Sequence, residues 1–207
     1  MLADLLATDG VVEHCELRST VGFMALHGGI EEATFEIAAE AAGRVGASLY
    51  AVVQPERLTW HVPSWRYALG ESAALAGFCS HVDVAISLHG YGGVRDHPQR
   101  WVTICVGGRG RREAGVVGEA LRARLDGYVV LDDIDDIPAG YRGVHPDNPV
   151  NRVRVAGVQV ELPPRVRGQG PVWEGHDVAS DGWVPHTAAL IEALVEAAGR
   201  LGDPVDA

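Results

Sequence analysis

Lysine is absent from this 207-residue chain: all 17 basic residues are arginine. Schiff-base catalysis needs a side-chain amine and a Walker-type phosphate loop needs its lysine, so both are excluded. Any cationic contact to a substrate falls to arginine or histidine. Long apolar runs are missing as well. None approaches the ~20 residues that cross a bilayer, so no membrane partner is expected. Positive charge is in short supply, with 28 acidic residues against the 17 arginines and a net charge of −11, which argues against general affinity for nucleic acid. Cysteine is scarce. Cys15, Cys79 and Cys105 are odd in number, lie in apolar stretches and lack zinc-finger spacing. They read as buried free thiols in a reducing compartment. The opening Met1-Leu2-Ala3-Asp4 has no basic region before an apolar one. No secretory signal is read there, and a cytoplasmic location is expected.

What is present has an ordinary globular balance, 47% hydrophobic and 22% charged. The length suits one substantial domain over 1–207, with 202–207 as a frayed tail. Strand-like runs cover 12–20, 22–26, 47–53, 82–88, 101–106, 128–131 and 153–162, and helical patterns cover 31–46, 70–79, 112–125 and 185–201. Strands alternating with helices predict a single-domain three-layer α/β/α fold around a mixed, mostly parallel sheet. The stretches 132–151 and 165–184 have no clear period and read as long functional loops.

Two apolar strands end in histidine followed at once by glycine: Phe23-Met24-Ala25-Leu26-His27-Gly28-Gly29 and Val84-Ala85-Ile86-Ser87-Leu88-His89-Gly90. Sites in open α/β sheets assemble at the carboxyl ends of strands. Glu31 follows His27 by four positions, across a glycine pair that permits a tight turn. Two imidazoles and a carboxylate are the protein ligands of one kind of catalytic zinc site. Glu31 and Glu32 also suit a helix N-terminus, where a carboxylate complements the dipole. Glu161 ends the strand 153–162. A carboxylate on a buried strand end needs a partner or a cleft. General acid–base work competes there with an ion pair to Arg165 or Arg167. Ser64 and Ser87 lack a nucleophile-elbow context, and Gly107-Gly108-Arg109-Gly110 is no dinucleotide fingerprint.

His27-Gly28-Gly29-Ile30-Glu31 followed by Thr34-Phe35-Glu36 resembles the HGGGIE…TSE signature of the phage and bacterial poly-γ-glutamate hydrolases. Ser87-Leu88-His89-Gly90-Tyr91 resembles their second histidine motif, and Gly157-Val158-Gln159-Val160-Glu161-Leu162 their late GVQxEL segment. The three motifs come in family order within about residues 20–170. The resemblance implies a zinc-carboxypeptidase-like fold, one zinc per chain on His27, Glu31 and His89, and Glu161 as general base. This chain has one glycine fewer than the signature. Glu32 keeps the family spacing, whereas alignment on Thr34 and Glu36 selects Glu31, the preferred ligand.

Asn151-Arg152 resembles the carboxylate-binding pair of zinc carboxypeptidases, although it follows the second histidine motif here. A guanidinium clamps a carboxylate bidentately and a neighbouring amide adds a hydrogen bond. Arg165 and Arg167 are candidates for a cationic rim, with Arg109 a weaker one, and His61 matches a histidine segment of the family and is a candidate substrate contact. The expected function is zinc-dependent hydrolysis of γ-glutamyl or similar acidic amide or peptide bonds. Two alternatives stand beside it: an N-acyl amino-acid deacylase on the same scaffold, and a degenerate metal-binding domain.

Overall fold

Strands and helices alternate along the chain. The computed structural model describes residues 1–92, 101–169 and 182–202. Its strands are β1 (Val12–Glu16), β2 (Val21–Gly28), β3 (Ser48–Val53), β4 (Val84–Gly90), β5 (Thr103–Gly107), β6 (Val129–Leu131) and β7 (Ala156–Leu162). They form one seven-stranded sheet in the order β1-β3-β2-β4-β7-β5-β6. The pairs β2–β3, β2–β4, β4–β7 and β5–β6 are parallel, while β1–β3 and β5–β7 are antiparallel. The sheet is therefore mixed and mostly parallel.

The helices α1 (Leu2–Leu6), α2 (Thr34–Val45), α3 (Ala73–His81), α4 (Arg111–Arg124) and α5 (Pro185–Gly202) cover both faces. On one face Phe23, Ala25, Ile86, Leu88 and Val158 pack against Ile37 and Ala41 of α2, Val117 and Leu121 of α4, and Leu190 and Leu194 of α5. On the other, Met24, Leu26, Tyr50 and Val52 pack against Leu2 and Leu5 of α1 and Leu75 and Phe78 of α3. Central strands buried on both faces read as continuous apolar runs, and β2 does so throughout.

Some boundaries differ from expectation for identifiable reasons. The helix read from residue 31 begins at Thr34. Residues 31–33 instead form a turn in which the Glu31 N–H donates to the His27 carbonyl at 2.9 Å and Ala33 is left-handed at φ 65°. The first strand stops at Glu16, short of residue 20. The last begins at Ala156, because Arg154 and Val155 donate to the Val82 and Asp83 carbonyls just before β4. Helix α1 carries no sequence signal: five residues show no period, and burial of Leu2 and Leu5 holds them. The loop 132–151 contains 3₁₀ turns at Ala139–Tyr141 and Pro149–Arg152. Of the second long loop, 170–181 lie outside the described residues, as does the expected frayed tail beyond residue 202. No helix among the described residues is long and apolar enough to cross a membrane.

The strand order sets where a site can form. From β2 the chain runs through α2 to β3 on one side, then through α3 to β4 on the other. The connections diverge at β2, leaving a crevice at the carboxyl ends of β2 and β4. His27 and His89 stand there.

Candidate metal centre

Simple alternation does not bring His27 to the site. Met24 pairs with Ser87, and Met24 and Leu26 belong to the α3 side of the sheet. Strict period-2 geometry would send His27 to the opposite side. Instead β2 uses three steps between Ala25 and Gly28 where β3 uses two between Ala51 and Val53. This bulge re-aims His27 toward the side that carries Ser87 and His89. Beyond it, Gly29 turns the chain with φ 85°, and a Cβ there would run into the Gln54 carbonyl.

The result is a tight set of donors. His27 Nδ1 lies 2.8 Å from Glu31 Oε1, His89 Nδ1 lies 3.2 Å from His27 Nδ1, and His89 Nδ1 lies 3.2 Å from Glu31 Oε2. The ligand atoms of His27, Glu31 and His89 all fall within 4.8 Å of one another. Hydrogen bonding fixes what each atom offers. His27 Nε2 faces the Val62 carbonyl at 2.8 Å. A carbonyl only accepts, so Nε2 carries the hydrogen and Nδ1 of neutral His27 presents a lone pair. His89 Nε2 is 3.0 Å from the Ser87 hydroxyl, which leaves its Nδ1 toward the same point. The Gly90 N–H donates to Glu31 Oε2 at 3.0 Å and anchors the carboxylate. Two imidazole nitrogens and a carboxylate that converge this closely need a proton or a cation between them. The donor set fits a divalent metal such as zinc, with its outer hydrogen bonds in place.

The charges bear the same mark. Burial opposes ionisation of Glu31, but His89 and His27 outweigh it and hold its carboxyl well below the usual range. Burial pushes the His27 pKa down, outweighing Glu31. Burial acts the same way on His89, but Glu31 and Glu161 overcome it and the net shift is upward. Metal needs the neutral imidazoles. Protons therefore compete at His89 at higher pH than at His27. Metal affinity is expected to fall about tenfold per pH unit below the raised His89 pKa, since each competing proton contributes one decade. Chelator competition between pH 8 and pH 5.5 measures this slope. A slope near two decades would mean that His27 also holds a proton.

Glu161 stands beside this set because β7 pairs with β4 in register His89↔Glu161. It is almost fully buried, and burial pushes its carboxyl up to about 7, with His89 pulling it down and Glu31 raising it further. A carboxyl titrating near neutrality suits proton transfer in both directions. Gln159 Nε2 donates to Glu161 Oε1 at 2.7 Å.

The expected substrate contacts separate here. His61 does reach the site: its Nε2 is 3.4 Å from Glu31 Oε1, and Glu31 raises its pKa. Arg152 does not line the cavity; it is 47% exposed and pairs with Asp147 at 3.3 Å. It follows a surface turn, and the nearest opposite charge takes it. The Asn151 amide is used in pinning its own loop, donating to the Gly143 and His145 carbonyls and accepting from the Arg109 N–H. Arg165 sits over the Tyr128 ring, 5.9 Å from its centroid, away from the donors. Arg167 is buried behind the site, so it cannot form a rim. Its guanidinium donates to the Leu162, Glu32 and Tyr91 carbonyls and joins the loops that follow β7, β2 and β4. Gly90 leaves room for it, since a Cβ there would meet the Arg167 guanidinium carbon at 2.7 Å. Glu32 points to solvent, so Glu31 alone of the two carboxylates joins the histidines.

The donors open into a cavity of about 580 Å³ whose far wall includes Trp65, Tyr91, Tyr141, Val144, His145 and Asn148. Sequence reasoning missed this wall. Tyr141 to Asn148 lie in the long aperiodic loop, where nothing local marks a direction. Gln159 was legible, because period 2 puts it on the same face as Glu161.

A model of the family described as poly-gamma-glutamate hydrolase matches residues 5–170. Among solved structures, a bacteriophage poly-gamma-glutamate hydrolase superposes with a TM-score of 0.73 at 23% identity, covering 96% of this chain and 93% of that one. YNDL in an apo, zinc-free form gives 0.64 at 21% identity, over 92% of this chain and 88% of that one. A metallo-carboxypeptidase from Burkholderia cenocepacia gives 0.53 at 11% identity, over 97% of this chain and 67% of that one. At these identities the structures speak for a shared fold. No curated protein matches the chain by sequence. Because the family model covers most of its length, the chain belongs to the poly-gamma-glutamate hydrolases, a family of amide-bond hydrolases.

Proposed function

We propose that this chain is a zinc-dependent hydrolase of γ-glutamyl or similar acidic amide bonds. The observation that carries this reading is the convergence of His27 Nδ1, His89 Nδ1 and the Glu31 carboxylate beside a buried carboxyl, Glu161. His27, Glu31 and His89 hold one zinc. Bound there, zinc supplies Lewis acidity, polarising a scissile carbonyl and acidifying water. Glu161 takes the proton from the attacking water and returns it to the leaving amine. The pKa near 7 suits both roles, and Gln159 holds one of its oxygens. His61, held toward Glu31 and 56% exposed, is the cationic contact for an acidic group of the substrate.

A second reading, an N-acyl amino-acid deacylase, is favoured by the net charge of −11 and by the aromatic and apolar wall of Trp65, Tyr91, Tyr141 and Val144. Long-range repulsion slows encounter with a long polyanion, whereas a small acyl amide is less affected. The test is zinc-loaded protein assayed on poly-γ-glutamate, short γ-glutamyl peptides and N-acyl glutamates. Cleavage of the γ-glutamyl bonds, lost on chelation and restored by zinc, is the expected result. Cleavage of acyl glutamates alone would select the second reading, and turnover indifferent to chelation would overturn both.

A further inference from the structure

Three buried polar side chains that line the cavity form a hydrogen-bonded chain. Asn148 Nδ2 donates to Gln159 Oε1 at 2.7 Å, and Gln159 Nε2 donates to Glu161 Oε1 at 2.7 Å. All three residues are at most 6% exposed. Amide oxygen and nitrogen are alike in shape, so an amide can be reversed unless its neighbours forbid it. Here they do. The Val150 N–H, which only donates, points at Asn148 Oδ1. The Gly143 carbonyl, which only accepts, faces Asn148 Nδ2 at 3.4 Å. Backbone groups, each at 3.4 Å, thus favour one orientation of the Asn148 amide from both ends. Gln159 must then present oxygen to Asn148 and nitrogen to Glu161. The direction set by the 3₁₀ turn at residues 149–152 is carried through two amides to one carboxylate oxygen. Gln159 and Glu161 share a strand face at i and i+2, but Asn148 comes from the long loop, so the line exists only once that loop lies on the sheet.

We propose that Asn148 and Gln159 are positioning residues that hold the Glu161 carboxylate in one orientation through a one-way chain of amide hydrogen bonds. This rests on the reading of Glu161 as the proton carrier. With Oε1 occupied by Gln159, the other carboxylate oxygen is the one left to exchange protons in the cavity. The chain of donors also makes a sharp prediction about reversal. Aspartate at 148 only accepts when ionised, and in that form Asn148→Asp turns the Gln159 amide around and sets its oxygen against Glu161.

The experiment measures kcat, KM, zinc content and melting temperature for Asn148→Asp, Asn148→Ala, Gln159→Met and Glu161→Gln. The substrate is whichever of poly-γ-glutamate, γ-glutamyl peptide or N-acyl glutamate the zinc-loaded wild type turns over fastest. Asn148→Asp is expected to lower kcat ~10- to 100-fold, the scale of a small misplacement of a reacting group, with KM and zinc content unchanged. Asn148→Ala, which leaves the Gln159 amide free to point either way, should lose less. Gln159→Met keeps the length without the amide and carries the same test if Asn148→Asp does not fold. A loss confined to KM would make these residues substrate contacts and overturn the proposal. So would wild-type kcat in both Asn148→Asp and Gln159→Met while Glu161→Gln is inactive, leaving the Glu161 reading intact. If Glu161→Gln itself keeps its turnover, or the wild type turns over none of the substrates, both readings fall together.

Discussion

Glu161→Gln is expected to keep its zinc and lose ~10²- to 10⁴-fold in kcat, the range for removing a positioned general acid–base. Glutamine matches glutamate in size and keeps an oxygen for the Gln159 amide, so packing at this buried point survives. What it cannot do is accept a proton near neutrality. Glu161 lies outside the set of ligand atoms that converge within 4.8 Å, so metal stoichiometry should not change. Metal analysis with steady-state kinetics on the same preparation checks both halves. Loss of zinc together with activity would make Glu161 a ligand, and unchanged turnover would remove it from the chemistry.

Glu31→Gln should abolish activity by a different route. The Glu31 carboxylate is the negative member of the donor set and lies against both histidines, at 2.8 Å from His27 Nδ1 and 3.2 Å from His89 Nδ1. An amide carries no charge, and its nitrogen would set a donor against either the metal or the Gly90 N–H. Zinc affinity should fall by more than the ~10- to 100-fold that loss of an outer hydrogen-bond partner costs. Glu32→Gln is the matched control. Its side chain faces solvent one residue away, and both zinc and turnover should stay at wild-type levels. The pair of variants tests the register of the shortened glycine motif. Equal zinc affinity in Glu31→Gln and wild type would end the three-ligand reading. His89→Ala should also lose metal while the sheet persists, because His89 stands at the end of β4 and the apolar core lies behind it.

The two catalytic variants separate roles that a single activity assay would merge. Glu31→Gln is expected to be inactive because zinc is lost, Glu161→Gln because the proton has no carrier. A degenerate metal-binding domain would respond to the first in metal content alone and show no turnover to lose.

Local pattern was enough for much of this protein. Apolar runs bounded by glycine marked β2 and β4, and each ended in the histidine that stands at the site. Period 2 along β7 put Gln159 and Glu161 on one face, and no long-range information was needed for that. Helix periods marked α2, α4 and α5 because each buries one stripe against the sheet. Other features depended on contacts that no local window contains. The bulge between Ala25 and Gly28 is a relation between β2 and β3, and it lets His27 turn toward His89. Arg152 looked like a carboxylate clamp by its neighbour Asn151, but a side chain's partner is set by what folds up beside it, and Asp147 was nearer. Arg167 looked like a surface cation and became a buried clasp, because three loop carbonyls closed around it. The loop 132–151 has no period, so its direction came from hydrogen bonds to the sheet and to itself and from burial of Ile137 and Val150. The sequence by itself determined on which strands His27, His89 and Glu161 stand. Tertiary structure decided which way they face and what holds them there, because orientation at a strand end is fixed by neighbouring strands and loops rather than by the strand's own residues.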